Sequence, residues 1–464
     1  MIRSATLHRG GLADLFIKRE LDYLPQGADR YFMLIIKALA AFLGTLSLSL
    51  GAVTPLVLKS QDMTATNYGH IVGGVGIAGA IIGLTAAHLA DKYSRIRILL
   101  WGMVPVLGLH FAMAFMPDRQ PVLFVVLYAG MAWTEAWAIV VVSALLRDFS
   151  PRTGRALAVG LVTVGTIAAN WFSTFLAGHV LDSVGTWQHM FLIYGFVAVG
   201  VWLLLWLFGR EPSTGYRAQI IYSLDDKQAV DNRRKAIEAR GVEVDGFWQY
   251  VTADWRLWSF ATAQALFLLG YVTFVAYGPL FTVQGFHQSP QEGSNITSWI
   301  YASIIVFLII GGVLSDWLRV RKALAMFFCL LSGIALIGLG LAVGADLSST
   351  QVIFLYIGVG AVMAMMWSPA NALFSEAAED IHATRQTTAF GGQRVFTAVI
   401  GQAWIFLAPS LLADHGWEAV WMITGIGALA AVPIMALARG SWFRWSIREP
   451  EMEALPQPAA GGGN

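Results

Sequence analysis

Two charged residues lie inside segments of the chain that are otherwise apolar. The first, Glu135, lies 14 residues after the start of an apolar run that spans 121–146. Charged side chains within a bilayer cost several kcal/mol unless they pair or face water, so they are functional candidates by default. A partly desolvated carboxylate at such a position can bind and release a proton. The alternative is a structural role, in which Glu135 forms a hydrogen bond with a hydroxyl or amide of a neighbouring helix.

The second charged residue, Arg394, lies eight residues after the start of the run 386–413. At 1.5 Å per residue this is about 12 Å from the end of the helix, too deep for the side chain to reach water easily. A guanidinium presents a planar pair of donors that matches a carboxylate or a phosphate. Arg394 is therefore a candidate ligand for an anion, or else an ion-pair partner of Glu135. Lys37 lies nearer the end of its run and can extend its amine to the membrane surface.

Polar and aromatic side chains recur near the middle of several apolar runs. Together they predict a mixed polar and aromatic cavity for a small solute, although each one alone suits a hydrogen bond between helices at least as well. The residues predicted to bind the solute, besides Arg394, are Asn170, Tyr271, Tyr277, Trp367 and Asn371, with Ser47 and Thr273 at similar depth. The glycines of HIVGGVGIAGAIIG instead predict close approach between helices, at Gly73, Gly74, Gly76, Gly79 and Gly83.

These candidates depend on membrane-spanning helices to position them. The chain is 57% hydrophobic and 13% charged, whereas a soluble domain carries about 25% charged residues. A bilayer core about 30 Å thick requires about 20 apolar residues per helix. Twelve runs meet this requirement, so the sequence predicts an all-α membrane protein with twelve transmembrane helices in two six-helix halves. The runs are 31–58, 70–90, 98–116, 121–146, 155–182, 188–209, 255–284, 293–316, 323–344, 351–375, 386–413 and 417–438.

Lysine and arginine mark one side of the predicted membrane. The segments on the side of the amino terminus contain 25 of the 30 basic residues, and the loops on the other side contain two. Because basic residues accumulate in cytoplasmic loops, we expect both termini in the cytosol and the protein in the cell (inner or plasma) membrane. The predicted organisation is a cytosolic segment 1–30, a first half 31–209, a cytosolic loop 210–254 with a surface helix from Ser223, a second half 255–438, and a cytosolic tail 439–464 that is disordered from Pro456.

The two predicted halves share an internal repeat, with offsets of 225 to 231 residues. Two related six-helix halves are typical of transporters whose solute site lies between them near the middle of the bilayer. The corresponding positions are Asp91 and Asp316, Arg155 and Arg385, Gly178 of FLAG and Pro409 of FLAP, Gly185 and Gly416, and Trp187 and Trp417.

The loop between the second and third helices of each half carries the same motif. Because of this motif the chain resembles the major facilitator superfamily, and the resemblance runs from about residue 30 to about residue 440. In that family the loop has the pattern G-x-L-x-D-R/K-x-G-R-R/K. The first copy has Ala87, Leu89, Asp91, Lys92, Ser94, Arg95 and Arg97, and the second has Gly312, Leu314, Asp316, Arg319, Arg321 and Lys322. Ala87 and Ser94 replace glycines of the pattern, and Ile96 interrupts its basic pair. The resemblance implies a gating role for Asp91, Arg95 and Asp316, which would stabilise the outward-facing state.

Other features bear on the branch of the superfamily. The context G-x-x-x-E-A around Glu135 resembles the anion:cation symporters, but GTLSLSLG in the first helix lacks their aspartate and arginine pair. A basic residue expected near the start of the fourth helix would fall at Val126, and the fifth helix lacks the proline of many drug/proton antiporters. Both absences argue against drug efflux.

The predicted function is secondary transport. No enzyme motif or nucleotide site is present in the sequence, and one cysteine, Cys329, cannot form a disulfide within the chain, so we predict no enzymatic activity and no cofactor. We expect a monomer in contact with lipid and not with nucleic acid. It would take up a small organic anion together with protons by alternating access. The alternatives are proton-driven efflux of an amphipathic compound and a membrane sensor that keeps the fold without transport.

Overall fold

The protein is a bundle of long helices, described here from a computed structural model. The structure describes residues 19 to 21, 25, 27 to 92, 94 to 139, 142, 145, 155 to 213, 255 to 381, 386 to 438, 440 and 442. Within these ranges the side chains of some helix residues, including Asp91 and Arg394, lie outside the description. The surface helix predicted from Ser223 and the tail predicted from Pro456 also lie outside the described residues.

The first half contains six membrane-crossing segments. Its helices are α1 (Gly27–Ser47), a 3₁₀ turn (Gly51–Val53) that leads into α2 (Thr54–Ser60), α3 (Ala65–Lys92), α4 (Arg95–Ala114), α5 (Pro121–Ile139), α6 (Arg155–Val184) and α7 (Trp187–Phe208). A two-residue parallel strand pair joins the segment before α1 to the segment after α7. Its strands are β1 (Glu20–Leu21) and β2 (Glu211–Pro212).

The first crossing is interrupted, although the sequence predicts one continuous run over 31–58. Ser47 and Ser49 donate their hydroxyls to the carbonyl oxygens four residues earlier, at 2.9 and 3.0 Å. Such side-chain bonds tend to bend or destabilise a helix, and Pro55, in the first turn of α2, has no N–H to extend the backbone ladder. Regular α-helix therefore ends at Ser47 and resumes at Thr54.

The second half contains the other six crossings. Its helices are α8 (Trp255–Gly285), α9 (Pro290–Leu318), α10 (Lys322–Leu341), α11 (Ser349–Ile381) and α12 (Gln386–Ala436). Helix α12 consists of two helices that meet at Gly416, where φ is 75° and ψ is 179°. Glycine adopts this positive φ without steric cost, so the last two crossings are separated where the sequence predicts a boundary.

The described helices account for twelve crossings. Ten stretches are long and apolar enough to span a membrane, and one of them, within α12, covers the last two crossings. Helix α3, with 28 residues, supplies the remaining crossing. The predicted all-α membrane fold with twelve helices in two halves is therefore confirmed.

The internal repeat is visible in matching side-chain contacts at the start of the last crossing of each half. In the first half, Trp187 donates its indole N–H to Ser60 Oγ at 2.9 Å, at the end of the first crossing. In the second half, Trp417 donates to Gln284 Oε1 at 3.0 Å, at the equivalent position. Gly185, just before Trp187, has the same φ of 75° as its counterpart in α12. The two halves therefore repeat local geometry as well as sequence.

The two halves are closed against each other on one membrane face. We call the face where α1 begins and α12 ends the terminal face, and the other the opposite face. Near the opposite face, Thr54 Oγ1 donates to the carbonyl oxygen of Ala276 at 3.2 Å, and Ser294 Oγ donates to that of Ala52 at 2.9 Å. These bonds join the 3₁₀ turn and α2 of the first half to α8 and α9 of the second.

The landmarks FLAG and FLAP lie at two equivalent helix–helix contacts between the halves. Helix α6 packs against α9, and α3 packs against α12. A methyl group built on Gly178 would lie 2.6 Å from Asn295 N, and one built on Gly69 would lie 2.5 Å from Pro409 Cγ. Ordinary contacts begin near 3.4 Å, so both helix–helix contacts require glycine at these positions.

The glycines predicted to allow close approach along α3 differ in their surroundings. A methyl group on Gly73 would lie 2.6 Å from the carbonyl oxygen of Gln402 in α12, and one on Gly83 would lie 3.4 Å from that of Ala136 in α5. Gly74 has no such neighbour within 4 Å. Helix α3 therefore packs tightly against α12 at Gly73 and makes an ordinary contact with α5 at Gly83.

Candidate functional site

A cavity of about 230 Å³ lies between the two halves. The first half contributes residues from α1 and α6 together with Val142, and the second half contributes residues from α8, α9, α11 and α12. The polar and aromatic residues that line it are Thr163, Thr166, Gln264, Phe267, Tyr271, Trp367, Asn371, Gln393 and Thr397.

Aromatic rings of the second half form one wall of the cavity. Phe267 of α8 and Trp367 of α11 are nearly parallel, with ring centroids 6.5 Å apart and an interplanar angle of 28°. Tyr271 lies one turn further along α8 and also lines the cavity. Flat apolar faces of this kind bind planar or apolar parts of a ligand, since aromatic pairs favour offset stacking.

Three carboxamides form a hydrogen-bonded chain across three helices of the second half. Gln393 of α12 donates to Gln264 Oε1 of α8, and Gln264 donates in turn to Asn371 Oδ1 of α11 at 3.1 Å. Asn371 donates to the carbonyl oxygen of Trp367 at 2.9 Å. Each amide nitrogen carries two hydrogens, so every member of the chain has a second N–H that these bonds do not use. These hydrogen bonds hold three neutral donors in place at the cavity wall.

One hydrogen bond crosses between the halves beside the cavity. Asn170 Nδ2 of α6 donates to Tyr271 Oη of α8 at 3.0 Å. Since the tyrosine oxygen accepts this bond, its own hydrogen remains available to a second partner. Asn170 is buried and is not among the lining residues, so its contact with the cavity passes through Tyr271.

Three of the predicted binding residues, Tyr271, Trp367 and Asn371, line the cavity. Tyr277 does not. Its hydroxyl donates to the carbonyl oxygen of Ile405 at 2.9 Å, and its ring packs edge-on against Tyr68 of the first half, with centroids 6.1 Å apart. The structure therefore places Tyr277 in the closed contact between the halves.

The two charged candidates lie on different helices. Glu135 is on α5, is partly exposed, and does not line the cavity. It interacts electrostatically with Tyr128, two turns earlier on the same helix. Arg394 is on α12, with its side chain outside the described residues, but Gln393 and Thr397 on either side of it line the cavity.

The predicted gating residues have local partners at the terminal face. Asp316, in the last turn of α9, forms an ion pair of 3.1 Å with Arg321, at the start of α10. In the first half, Arg95 begins α4 and its backbone N–H donates to Glu211 Oε2 at 3.0 Å. The side chain of Asp91 lies outside the described residues.

Glu211 was not predicted from the sequence. Its buried carboxylate also accepts a hydrogen bond from Ser94, the residue that caps α4, and a negative charge at a helix amino terminus is stabilising. Arg19, whose carbonyl oxygen accepts the backbone N–H of Glu211 at 3.0 Å, donates to the carbonyl oxygen of Trp206 at 3.1 Å. Burial lowers the pKa of the Arg19 guanidinium to about 10, and the charges of Arg210 and Arg97 act in the same direction.

Gln264 and Gln393 were also missed, although a signal for them exists in the sequence. An amide inside an apolar run is costly unless it is hydrogen-bonded, and this argument selects glutamine as readily as the asparagines that were predicted. The sequence cannot show that the two glutamines bond to each other, because they lie 129 residues apart.

Twelve crossings in two repeated halves, with a cavity between them, define a membrane protein of the secondary-transporter class. The family model described as Major Facilitator Superfamily matches residues 33–403. The chain belongs to the Major Facilitator Superfamily, and the resemblance noted in the sequence is confirmed. It is accordingly a transporter-family protein and not an enzyme.

Two curated relatives carry names that state a function. A probable anion transporter 3, chloroplastic, from Oryza sativa subsp. japonica is 22% identical over 306 residues, which cover 63% of this chain. The match spans 56% of that relative's length. A gallate transporter from Pseudomonas putida is 22% identical over 340 residues, which cover 71% of this chain and 75% of the relative.

Solved structures share the fold at low sequence identity. A bacterial homolog of the human lysosomal transporter Spinster, in an inward-facing and occupied conformation, has a TM-score of 0.63 at 16% identity and covers 91% of this chain and 100% of its own. A D-xylose-proton symporter has a TM-score of 0.62 at 16% identity and covers 88% of this chain and 97% of its own.

Proposed function

We propose that this protein takes up a small organic anion together with a proton, by alternating access of the cavity between its halves. The observation that carries the proposal is the cavity itself, with neutral amide donors and aromatic rings on its walls. The two curated relatives, an anion transporter and a gallate transporter, support an anionic substrate.

The size of the cavity favours a substrate with a single ring. An apolar protein cavity of about 150 Å³ holds one benzene molecule, whereas pockets for drug-sized ligands measure about 300 to 1,000 Å³. At about 230 Å³, this cavity fits a ring with a few polar substituents. We infer a single-ring aromatic carboxylate whose ring lies against Phe267 and Trp367, with its polar substituents bonded to the carboxamide chain and to Tyr271. The same size argues against the export of a large amphipathic compound.

The charge of the substrate requires a cation near the cavity. Among the described residues that line it, all are uncharged. Arg394 directly follows Gln393 and lies one turn before Thr397, both of which line the cavity. We propose that its guanidinium binds the substrate carboxylate, since a planar fork forms two parallel bonds to such a group.

The proton is assigned to Glu135 in this proposal. Glu135 belongs to the first half and Arg394 to the second, so their approach depends on the relative position of the halves. An arginine close to the carboxylate would keep it ionised, and an anion that binds the arginine would release the carboxylate to accept a proton. Binding of the anion and of the proton would then be coupled.

The contacts that close the opposite face indicate from which side of the membrane the cavity is closed in this state. With both termini in the cytosol, as the 25 to 2 distribution of basic residues indicates, the opposite face is the outer one. The structure then corresponds to a state closed to the outside, in which the cavity would exchange substrate with the cytosol.

The proposal is tested with purified protein in liposomes. A thermal-shift screen of benzoates, sugars and amino acids identifies a ligand, and uptake is then measured with an imposed proton gradient and, separately, by counterflow without one. We expect Glu135→Gln to lose gradient-driven accumulation but to retain counterflow. Glu418→Gln, an exposed carboxylate at the opposite face, is the matched control and should behave as the wild type.

The anion site is tested with the same ligand. Arg394→Ala should lose binding, and Arg394→Lys should recover it poorly because a point charge cannot replace the fork. Arg119→Ala, exposed at the opposite face, is the control. Normal accumulation by Glu135→Gln, or unchanged affinity in Arg394→Ala, would return that residue to a structural role. A sensor without transport would bind ligand but fail counterflow, and an exporter would accumulate solute only when the gradient is reversed.

A further inference from the structure

His110 is a buried histidine that does not line the cavity. It lies in α4, towards the opposite face, and none of its surface is exposed. Its ring stacks on that of Phe191 in α7, with centroids 4.7 Å apart and an interplanar angle of 11°. Gly195, one turn further along α7, leaves room for it, because a methyl group there would lie 3.0 Å from His110 Cδ2.

Both nitrogens of the ring face carbonyl oxygens. Nδ1 lies 3.0 Å from the carbonyl oxygen of Ser47 in α1, and Nε2 lies 2.8 Å from that of Phe191. A neutral imidazole has one N–H and one lone pair, so it can satisfy one of these oxygens and must set its lone pair against the other. A carbonyl oxygen only accepts. The imidazolium ion, which has two N–H donors, is the form of the ring that satisfies both contacts.

The surroundings of the ring compensate part of the cost of a buried cation. Ser47 is the last residue of α1, so its carbonyl belongs to the unpaired, partially negative end of a helix. A protonated histidine at a helix carboxyl terminus stabilises the helix, because its charge is opposite to the partial charge of that end. The contact with Ser47 is therefore a cap of α1 by a cation from α4.

No other charge within the described residues competes for this proton. The polar contacts of the ring are with backbone carbonyls, and no described ionisable side chain from α1, α3, α5 or α7 forms a hydrogen bond or ion pair with it. On α7, Tyr194 donates its hydroxyl to the carbonyl oxygen of Ser173. On α5, Tyr128 interacts with Glu135.

The carbonyl of Ser47, which His110 contacts, lies just before the segment that closes the opposite face. Five residues beyond Ser47, the carbonyl of Ala52 accepts the hydrogen bond from Ser294, and two residues later Thr54 donates to Ala276. A methyl group on Gly51 would overlap the carbonyl of Val275. The position of this segment therefore depends on how the end of α1 is anchored.

We propose that His110 is a proton-binding site, and that its protonated form anchors the end of α1 so that the opposite face stays closed. Loss of the proton leaves one carbonyl facing a lone pair and releases the segment that carries Gly51 and Thr54. A proton bound at His110 thus favours the closed state, and a neutral ring favours opening. This site is separate from Glu135 and does not depend on the identity of the substrate.

The protonation state is measured directly by ¹⁵N NMR of histidine-labelled protein in lipid, where imidazolium and neutral rings have different nitrogen shifts. The chain has nine histidines, and the signal of His110 is assigned by its absence from His110→Gln. If that variant does not fold, Gly195→Ala, which crowds the ring, assigns the signal by its displacement. We expect two protonated nitrogens at about pH 5.5. A neutral ring at that pH would overturn the proposal.

The effect on the opposite face is measured by electron-spin distances between labels at Lys59→Cys and Asp346→Cys, exposed on the two halves, with the buried Cys329 replaced by serine. We expect the closed population to be larger at about pH 5.5 than at about pH 8, and His110→Gln to abolish this difference. His189→Gln, an exposed histidine on the same face, should retain it. A pH response that survives in His110→Gln would refute the link. Because neither measurement uses substrate, both outcomes are independent of the proposed anion transport.

Discussion

Replacing Gly178 by alanine has two separate effects, one on the stability of α6 and one on the contact between the halves. Gly178 lies in the interior of α6, where alanine is favoured over glycine by about 0.8 to 1.0 kcal/mol. This gain is the same whether the halves are closed or open. In the closed state, however, the new methyl group would lie 2.6 Å from both the nitrogen and the Cα of Asn295.

The size of the expected effect follows from this geometry. Ordinary contact begins near 3.4 Å, so α6 and α9 must separate by about 0.8 Å at this crossing, against backbone atoms that cannot rotate away. Small-to-large substitutions in packed interiors cost about 1 to 3 kcal/mol. A cost of that size, confined to the closed state, lowers the ratio of closed to open molecules by about 5- to 150-fold.

The assay is the spin-label distance between Lys59→Cys and Asp346→Cys across the opposite face. We expect Gly178→Ala to shift the distribution to longer distances. Gly200→Ala, on α7 with no neighbour within 4 Å, is the matched control, because it has the same gain in helix propensity without the clash. An unchanged distribution in Gly178→Ala, or an equal shift in Gly200→Ala, would refute the reasoning.

Four further predictions concern other parts of the molecule. Gln264→Leu should remove the acceptor of Gln393 and the donor to Asn371 Oδ1 and weaken substrate binding or stability by about 1 to 3 kcal/mol, measured by thermal shift with and without ligand; equal loss in both would indicate stability alone. Glu211→Gln should lower thermal stability by about 1 kcal/mol through the weakened cap of α4, and no change would remove that role. Asp91→Asn should slow counterflow without changing affinity, and an unchanged rate would exclude Asp91 from gating. A cysteine in the loop 210–254 should resist impermeant thiol reagents in intact cells, and labelling from outside would reverse the orientation.

The sequence alone predicted the twelve crossings and the repeat, but not the interruption of the first crossing between Ser47 and Thr54. Length and apolar composition are properties of a single segment, and a bilayer admits few alternatives to a helix for such a segment. The boundary at Gly416 was predictable for the same reason, since a glycine between two apolar runs marks the end of a helix. The family followed from a motif that is contiguous along the chain.

The residues that line the cavity were predicted only in part. Tyr271, Trp367 and Asn371 line it, whereas Tyr277, from the same helix as Tyr271, lies in the contact between the halves. Both tyrosines are mid-depth aromatic residues, and six positions along α8 rotate one of them away from the cavity. The spacing of aromatic residues along α8 does not show which of its faces the other helices cover.

The tertiary structure alone decided the contacts between distant segments. The bond between Gln264 and Gln393, the bond between Asn170 and Tyr271, and the two carbonyls that face His110 all join helices whose rotation and depth are set by packing with several neighbours. Spacing along the chain determines which residues share a face of one helix. It does not determine how that face is turned towards the next helix, because the rotation depends on the fit of all the side chains between them.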